Sequence, residues 1–425
     1  MKDILIKNCQ LSPSGKEGTV NILFSEGKIA AIGPQVVAPE GYMVINAQGL
    51  TAIPGLVDVH VHFREPGFSY KETIMTGTMA AAVGGFTTVL AMPNLNPAPD
   101  CLENLAKEWA IINKTALIEV GPYGTITRSR LGQELADYAA MAPYVAAFSD
   151  DGSGVQDEDV MRRAMQGIAA TGKLLAAHCE VNSLLRKGYI HDGEYAKAHG
   201  HRGICSESEW REIERDIRLA EETGCQLHIC HISTAESVTL IREAKARGVN
   251  VSCETAPHYL VFCDEDMQED GRFKMNPPLR SRRDMEALRE GAADGTIDII
   301  ATDHAPHSAE EKSKGLEKSA MGVVGLETSL GAIYTYMVKP GIISFERMID
   351  MMANNPRRIF DLEGGMKPGD RADVTLVDFN KKWVVNPGNF ASMGTSTPFE
   401  GVELTGKPAF TFYKGNLRFG LANAE

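Results

Sequence analysis

Short apolar runs alternate with amphipathic stretches along the middle of the chain, and this alternation narrows the choice of fold. The runs have the length and residue types of β-strands, whereas the stretches between them repeat apolar residues with helical spacing. Over about 300 residues, such an alternation predicts a (β/α)₈ barrel of the TIM type. The eight predicted strands are Leu56–His62, Thr87–Met92, Leu117–Gly121, Val145–Phe148, Leu174–His178, Gln226–His231, Asn250–Glu254 and Ile297–Thr302. The helical stretches include Lys71–Val83, Leu102–Asn113, Asp157–Thr171, Glu207–Thr223 and Ala235–Gly248.

An open, doubly wound sheet is the alternative architecture for the same alternation. That fold normally carries a glycine-rich phosphate turn after its first strand. Here the corresponding place holds His60-Val61-His62-Phe63-Arg64. The barrel is therefore the preferred prediction.

The two ends of the chain differ from the middle, because they contain short β segments punctuated by glycine and proline. We expect both ends to meet in one small β-sandwich domain, formed by residues 1–54 and 365–425, beside a barrel domain of residues 55–364. Two unrelated appendages are the alternative. The predicted end strands are Asp3–Asn8, Val20–Phe24, Lys28–Ile32, Met43–Asn46, Asp373–Phe379, Trp383–Val385 and Ala409–Tyr413.

The first barrel strand carries two histidines, His60 and His62, at adjacent positions on the same face. A single buried histidine is usually part of a core. Two on one face would be a costly way to fill a core, because each neutral ring still needs a hydrogen-bond partner. The pair therefore indicates metal ligation.

Polar residues also follow other predicted strands, and in a barrel the carboxyl ends of all strands surround one mouth. Taken singly, an aspartate there could cap a helix and a His-Ile-Ser sequence could form a turn. Together, imidazoles and carboxylates suit Zn²⁺ or a similar divalent ion, and an aspartate can bridge two ions. The set comprises His60, His62, Asp150, Asp151, His178, His231 and Asp303.

A divalent ion in such a site favours hydrolysis, since it lowers the pKa of bound water toward neutrality and polarises a carbonyl group. A nearby carboxylate can accept a proton and return it to a leaving nitrogen. Asp303, at the last strand end, is the candidate for this general base and acid.

Other residues at the predicted mouth suggest what binds there. Arg64 can form a bidentate contact with a carboxylate, and Asn94 and Asn276 follow further elements at the same mouth. Singly, each could be an ordinary surface or turn residue. Ser308–Lys318, rich in Glu, Lys and Ser, is expected to form a mobile loop over the mouth, either a lid or a solvated loop.

Composition excludes some classes of function. The formal net charge of −13 argues against broad nucleic-acid binding, and no apolar run approaches the roughly 18 residues of a membrane helix. The start of the chain lacks the features of a signal peptide. The 8 cysteines form no Cys-x-x-Cys pair, which favours reduced thiols and a cytoplasmic location.

Several motifs of the chain resemble those of the dihydroorotases, within the bacterial class I branch of the amidohydrolase superfamily. The His-x-His pair marks only the superfamily, whereas the longer motifs are far more specific, and the resemblance covers nearly the whole chain. The motifs are Asp58–Gly67 (DVHVHFREPG), Ala91–Asn94 (AMPN), Lys274–Arg280 (KMNPPLR) and Ala301–His307 (ATDHAPH).

The resemblance implies the reversible cyclisation of N-carbamoyl-L-aspartate to L-dihydroorotate in pyrimidine synthesis. It implies one zinc ion on His60, His62 and Asp303, and a second on His178 and His231. Many relatives bridge two ions with a carboxylated lysine, but this sequence has Asp150-Asp151-Gly152 there. Asp151 is the expected bridging residue, although strand alternation alone does not choose it over Asp150. Whether one or two ions are bound stays open.

The resemblance also implies how a substrate would be held, with Asp303 as general base and acid. Arg64, Asn94 and His307 would bind the substrate carboxylate. Asn276 and the backbone near Met321 and Gly322 would hold the ring. A homodimer is the family's usual state, and aspartate transcarbamoylase is a further partner to consider.

Two other readings compete with this one. A dihydropyrimidinase (hydantoinase) or allantoinase would act on a ring without a carboxylate, and Arg64 with Asn94 argues against that. An inactive homologue that serves as a structural partner of a transcarbamoylase should have lost ligands. The predicted ligands are all present in this sequence.

Overall fold

The computed structural model describes residues 3–16 and 18–420, and its centre is a barrel of eight parallel strands. Residues 1, 2, 17 and 421–425, which belong to the predicted small domain, lie outside the described residues. The barrel strands are Leu56–Val61, Phe86–Ala91, Glu119–Pro122, Phe148–Ser149, Leu175–Ala177, Leu227–Ile229, Val251–Thr255 and Ile299–Ile300.

Two short contacts close the strands into a ring. The first three strands form one parallel sheet and the other five form a second. A parallel bridge between Gly124 and Phe148 joins the third strand to the fourth, and a bridge between Val61 and His304 joins the first strand to the last. The predicted barrel is thus confirmed, and the open sheet is excluded.

Helices surround the barrel and pack their apolar faces against it. In the helix Glu207–Thr223, the residues Ile213, Ile217 and Ala220 repeat at helical spacing and are buried, and Gly224 ends the helix in a left-handed conformation (φ 71°). None of the helices in residues 3–16 and 18–420 is apolar over a length that would cross a membrane. The longer helices are Ile74–Val83, Leu102–Thr115, Glu158–Ala169, Glu207–Thr223, Ala235–Ala246 and Arg282–Asp294.

Shorter helices lie in the connections and after the last strand. The segment Ser308–Lys318, expected as a mobile loop, contains two of them. The shorter helices are Tyr138–Met141, Glu194–His199, Pro257–Val261, Ala309–Lys312, Gly315–Lys318, Ser329–Ile333, Phe345–Ile349 and Asn355–Phe360, and Tyr334–Val338 and Asp350–Asn354 are π-helical.

Two further four-stranded sheets are built from the ends of the chain. They share one apolar core, in which Ile22 and Phe24 of the first sheet join Leu376 and Phe412 of the second. The first sheet has the order Lys28–Gly33, Val20–Ser25, Ile4–Cys9, Met43–Asn46. The second has the order Asn416–Gly420, Glu403–Tyr413, Val374–Val384, Thr51–Pro54.

The second sheet differs in detail from the expectation. The two strands predicted at Asp373–Phe379 and Trp383–Val385 form one strand, Val374–Val384, whose pairing shifts between Asp378 and Lys382. The shift interrupts the alternation of side chains, which explains why the sequence reads as two segments.

Candidate metal centre

A cavity of about 230 Å³ opens at the carboxyl ends of the barrel strands. Histidines and aspartates from the first, fourth, fifth, sixth and eighth strand ends meet in it, although their positions span most of the chain. His60 lies fully buried beneath the cavity wall. The lining residues are His62, Arg64, Asn94, Asp151, Gly152, His178, His231, Asn276, Asp303, Ala305, His307, Met321 and Gly322.

Asp151 lies at the centre of the four imidazoles. Its Oδ1 atom is 3.4 Å from Nε2 of His60 and 3.3 Å from Nδ1 of His178. The same oxygen is 3.3 Å from Nε2 of His231, and Oδ2 is 3.4 Å from Nε2 of His62. One carboxylate therefore reaches all four rings, which is the geometry that a bridging ligand requires.

The adjacent Asp150 turns away from the cavity. It accepts hydrogen bonds from the backbone N–H groups of Ile126 (2.8 Å) and Thr127 (3.1 Å) and from the Thr127 hydroxyl. Burial raises the pKa of Asp150 to about 6. Asp150 thus stabilises the loop that follows the third strand. Asp151, in contrast, is the carboxylate that lies among the histidines.

His60 is oriented by a carboxylate below the site. Its Nδ1 atom is 2.6 Å from Oε1 of Glu254, whose Oε2 is 3.1 Å from Nε2 of His228. This contact leaves Nε2 of His60 facing Asp151 and Asp303. Within the described chain, that buried nitrogen has no hydrogen-bond partner.

His62 is oriented by an amide. Its Nδ1 atom is 2.8 Å from Oδ1 of Asn94, so Nδ1 carries the proton, because an amide oxygen only accepts. Its Nε2 atom is 3.1 Å from Oδ1 of Asp303. The lone pair of Nε2 therefore points into the cluster, as a metal ligand requires.

His178 and His231 approach each other closely, with 2.9 Å between Nδ1 and Nε2. Two nitrogen lone pairs at that distance need a shared proton or a shared cation. Among the described residues, three groups of possible ligands bring their donor atoms within 4.8 Å of one another, and each includes His60: His60, His62, Asp303; His60, Asp151, His231; and His60, Cys230, Glu254. The first two groups consist of imidazoles and one aspartate each. Imidazole and carboxylate donors at this spacing fit a divalent ion.

The cluster stays ionised in spite of its burial. Burial alone would raise the pKa of Asp151, but His60 and the neighbouring imidazoles hold that pKa well below its ordinary value. The pKa of Asp303 is also lowered, by His62 and His60 against the effect of burial. Both aspartates are therefore ionised, the form in which a carboxylate binds a cation.

A buried arginine lies on the other side of the cavity. The Nε atom of Arg64 donates to the backbone oxygen of Pro306 (3.3 Å), and its Nη2 atom lies 3.4 Å from Nε2 of His307. Burial and the charge of Arg64 lower the pKa of His307 to about 3, so its ring is neutral. In residues 3–16 and 18–420, no carboxylate forms a salt bridge with Arg64, whose charge is available to an anion in the cavity.

Asn276 faces the cavity from the segment that follows the seventh strand. Its Nδ2 atom donates to Oε1 of Glu180 (3.0 Å), and its buried Oδ1 atom has no partner among the described residues. Oε2 of Glu180 is 3.8 Å from Nε2 of His178. Asn276 can therefore accept one hydrogen bond from a bound molecule.

Glu254 and Glu180 were not predicted as parts of the site. Glu254 ends a predicted strand, and Glu180 follows one by two residues. The available signal was that a carboxylate at such a buried position must be paired. The sequence does not reveal which histidine each carboxylate orients. Of the residues predicted for the site, Asp150 alone turns away from the cavity and His60 lies beneath its wall. The others line it: His62, Arg64, Asn94, Asp151, His178, His231, Asn276, Asp303, His307, Met321 and Gly322.

Comparisons with known proteins agree with this arrangement. Residues 49–237 match the family model described as dihydro-orotase-like. The chain is 47% identical over 419 residues to a dihydroorotase of Fusobacterium nucleatum subsp. nucleatum, covering 98% of each chain. It is 46% identical over 417 residues to a dihydroorotase of Bacillus cereus, covering 97% of each. Among solved structures, an L-hydantoinase (dihydropyrimidinase) from Arthrobacter aurescens has a TM-score of 0.87 at 27% identity, with 98% of this chain and 96% of that chain covered.

Proposed function

The chain belongs to the dihydroorotase family and is a cyclic amidohydrolase, and from this premise we propose the roles of its individual residues. The reaction is the reversible interconversion of N-carbamoyl-L-aspartate and L-dihydroorotate in de novo pyrimidine (UMP) biosynthesis. The observation that carries the substrate assignment is Arg64, a buried and unpaired cation in the same cavity as the histidine–aspartate cluster. A neutral ring would leave that buried guanidinium without a salt-bridge partner in the cavity.

We propose Zn²⁺ as the metal, one or two ions per chain. His60, His62 and Asp303 would hold one ion, and His178 and His231 the other, with Asp151 between them. The unpartnered Nε2 of His60 and the close approach of His178 to His231 support this assignment. A bound zinc ion would lower the pKa of water and polarise the carbonyl group that is attacked.

Asp303 would move the proton. Its Oδ1 atom faces His62 and His60, which leaves Oδ2 to accept a proton in ring opening and to return it to the leaving ring nitrogen. Because the pKa of Asp303 is lowered, the carboxylate is in the basic form at neutral pH.

The carboxylate of the substrate would lie between Arg64, Asn94 and His307. Since Oδ1 of Asn94 contacts His62, its Nδ2 group is free to donate to that carboxylate. Asn276 would accept a ring N–H through Oδ1, and the backbone of Met321 and Gly322 would complete the ring pocket.

We further propose two domains, a small β domain of residues 1–54 and 365–425 and a barrel domain of residues 55–364. The core shared by the two end sheets supports this division. The eight free cysteines support a cytoplasmic location. A homodimer and an association with aspartate transcarbamoylase rest on the family resemblance alone.

Ring opening of L-dihydroorotate, followed as loss of the ring's ultraviolet absorbance, tests the assignment. The assay compares dihydroorotate with dihydrouracil and allantoin, before and after a chelator and after zinc is restored. We expect metal-dependent turnover of dihydroorotate alone. Turnover of a neutral ring instead would favour the hydantoinase alternative. The assay includes this alternative because the fold is similar to that of the Arthrobacter aurescens L-hydantoinase. Turnover of none of the three would favour an inactive structural homologue.

A further inference from the structure

A second arginine, Arg130, approaches the cavity from the loop that follows the third barrel strand. Ser129 and Arg130 both have left-handed backbones, with φ of 51° and 57°, a conformation that is costly for residues with a side chain. The loop is held in this shape by a hydrogen bond from the Ser129 N–H to Asp100 (3.0 Å) and by one from the Gly132 N–H to Thr127 (2.9 Å). The surroundings thus maintain a strained turn that directs Arg130 inward.

The guanidinium of Arg130 lies beside Gly152, a residue of the cavity lining, and is not itself part of that lining. Its Nη2 atom donates to Oγ of Ser153 (2.6 Å), the neighbour of Gly152, which lines the cavity. A Cβ atom at Gly152 would lie 3.7 Å from Nη2 of Arg130 and 3.8 Å from Nδ2 of Asn94. Arg130 and the proposed carboxylate-binding amide of Asn94 therefore flank the same glycine.

The charge of Arg130 is compensated only in part by the nearby aspartates, Asp151 and Asp150, which favour its charged form against the effect of burial. Its buried Nε atom has no hydrogen-bond partner, and no salt bridge to it exists, among the residues that the structure describes. Asp150 is occupied by the donors of Ile126 and Thr127, and Asp151 lies among the imidazoles. Arg64, which lines the cavity, and Arg130, which lies beside its lining residue Gly152, thus place two positive charges without salt bridges among the described residues at one end of the cavity. This arrangement favours an anionic ligand.

We propose that Arg130 is a specificity-determining residue that favours the open-chain substrate over the ring. This inference rests on the proposed function. N-carbamoyl-L-aspartate carries two carboxylates, whereas L-dihydroorotate carries only the one proposed to lie at Asn94. A fixed positive charge therefore attracts the open chain more strongly than the ring, through the additional carboxylate that would lie at the histidine–aspartate cluster.

The expected difference between the two substrates appears in their KM values and not in their kcat/KM values. The equilibrium constant of the reaction is independent of the enzyme, so a substitution must change kcat/KM by the same factor in both directions. The KM values of the two substrates are free to change differently. A charge effect therefore predicts an unequal change in KM, whereas a general loosening of the site predicts an equal one.

The experiment measures both KM values in the metal-loaded enzyme for Arg130→Gln, Arg130→Lys and Arg128→Gln. Arg128 is the matched control, because it is an exposed arginine in the same turn, 3.9 Å from Glu134. For Arg130→Gln we expect KM to rise about tenfold for N-carbamoyl-L-aspartate and less, about threefold, for L-dihydroorotate, because only the open chain carries the additional carboxylate. Arg130→Lys, which keeps the charge, should hold both KM values close to those of the parent, and Arg128→Gln should behave like the parent.

Equal changes in both KM values, no change in either, or the same effect from Arg128→Gln would overturn the inference. If Arg130→Gln fails to fold, Arg130→Lys and the salt dependence of the parent decide, since added salt should then raise KM for the dianion more steeply than for the monoanion. Failure of the proposed function is separate, because in that case the parent enzyme itself would not turn over dihydroorotate.

Discussion

The Nδ1 atom of His60 lies 2.6 Å from Oε1 of Glu254, and both side chains are buried from solvent. The two residues come from the first and seventh barrel strands, 194 positions apart. Because the carboxylate accepts the Nδ1 proton, the lone pair of Nε2 is directed at Asp151 and Asp303. The orientation of His60, the most buried of the proposed metal ligands, therefore depends on a residue that does not itself line the cavity.

Glu254→Gln should weaken metal binding. Glutamine keeps the shape but supplies a weaker acceptor, and loss of a partner that orients a metal-binding histidine costs about 10- to 100-fold in metal affinity. Competition with a chelator of known affinity measures the effect. Ser252→Ala is the matched control, because Ser252 lies on the same strand but contacts His228 instead of His60. Equal metal affinity in the parent and Glu254→Gln would contradict this role.

The pair Asp151→Asn and Asp150→Asn should separate metal binding from stability. Asp151→Asn removes the charge among four imidazoles, so we expect fewer bound ions by elemental analysis and loss of turnover, with the fold retained. Asp150→Asn should leave the metal content unchanged but lower the free energy of unfolding by about 1–3 kcal/mol, because an amide N–H₂ would face donors of Thr127. The opposite pattern would assign the bridging part to Asp150.

Strand positions follow from local pattern, which is why the sequence predicts them well, and the proposed metal-ligand set rests on the same pattern. The first barrel strand, predicted at Leu56–His62, is observed at Leu56–Val61, and the helix predicted at Glu207–Thr223 has those bounds. Alternation places His60 and His62 on one face, and barrel topology brings distant strand ends to one mouth. Both arguments need only the positions of the strands.

Contacts that join distant segments were not predictable in this way. The pairing of Glu254 with His60 depends on barrel closure, and the inward direction of Arg130 depends on two left-handed residues that no pattern of side chains marks. The sequence predicted a mobile loop at Ser308–Lys318 because this segment is rich in charged residues. Lys312 in that segment is nevertheless buried, since its hydrogen-bond acceptors are backbone carbonyls contributed by other parts of the chain.

Arg64→Met should mainly raise KM for dihydroorotate. Hydrogen bonds to a charged group contribute about 1.5–3 kcal/mol, so we expect an increase of roughly ten- to a hundredfold, with a smaller change in kcat. Steady-state kinetics in the ring-opening direction measure it. Arg64→Lys should fall between the parent and Arg64→Met, because it keeps the charge but loses the bidentate geometry. An unchanged KM in Arg64→Met would refute the assignment of a carboxylate-bearing substrate.

The side chain of Lys312 joins three segments beside the cavity. Its Nζ atom donates to the backbone oxygens of Lys274 (3.0 Å), Ala320 (2.8 Å) and Gly322 (2.7 Å). Lys274 lies two residues before Asn276, and Gly322 lines the cavity. One ammonium group therefore fixes the relative positions of the two segments that would hold the substrate ring.

Lys312→Met should lower the free energy of unfolding by about 1–3 kcal/mol, because it leaves buried carbonyl groups without a donor, and it should raise KM for dihydroorotate. Thermal unfolding and steady-state kinetics measure the two effects. Lys314→Met is the matched control, since Lys314 is exposed in the same segment and pairs only with Glu310 among the described residues; a surface pair of this kind contributes at most about 1 kcal/mol. If Lys312→Met unfolds like the parent, or if both variants change KM equally, Lys312 does not organise the ring pocket, and the segment behaves as the mobile loop that its composition suggests.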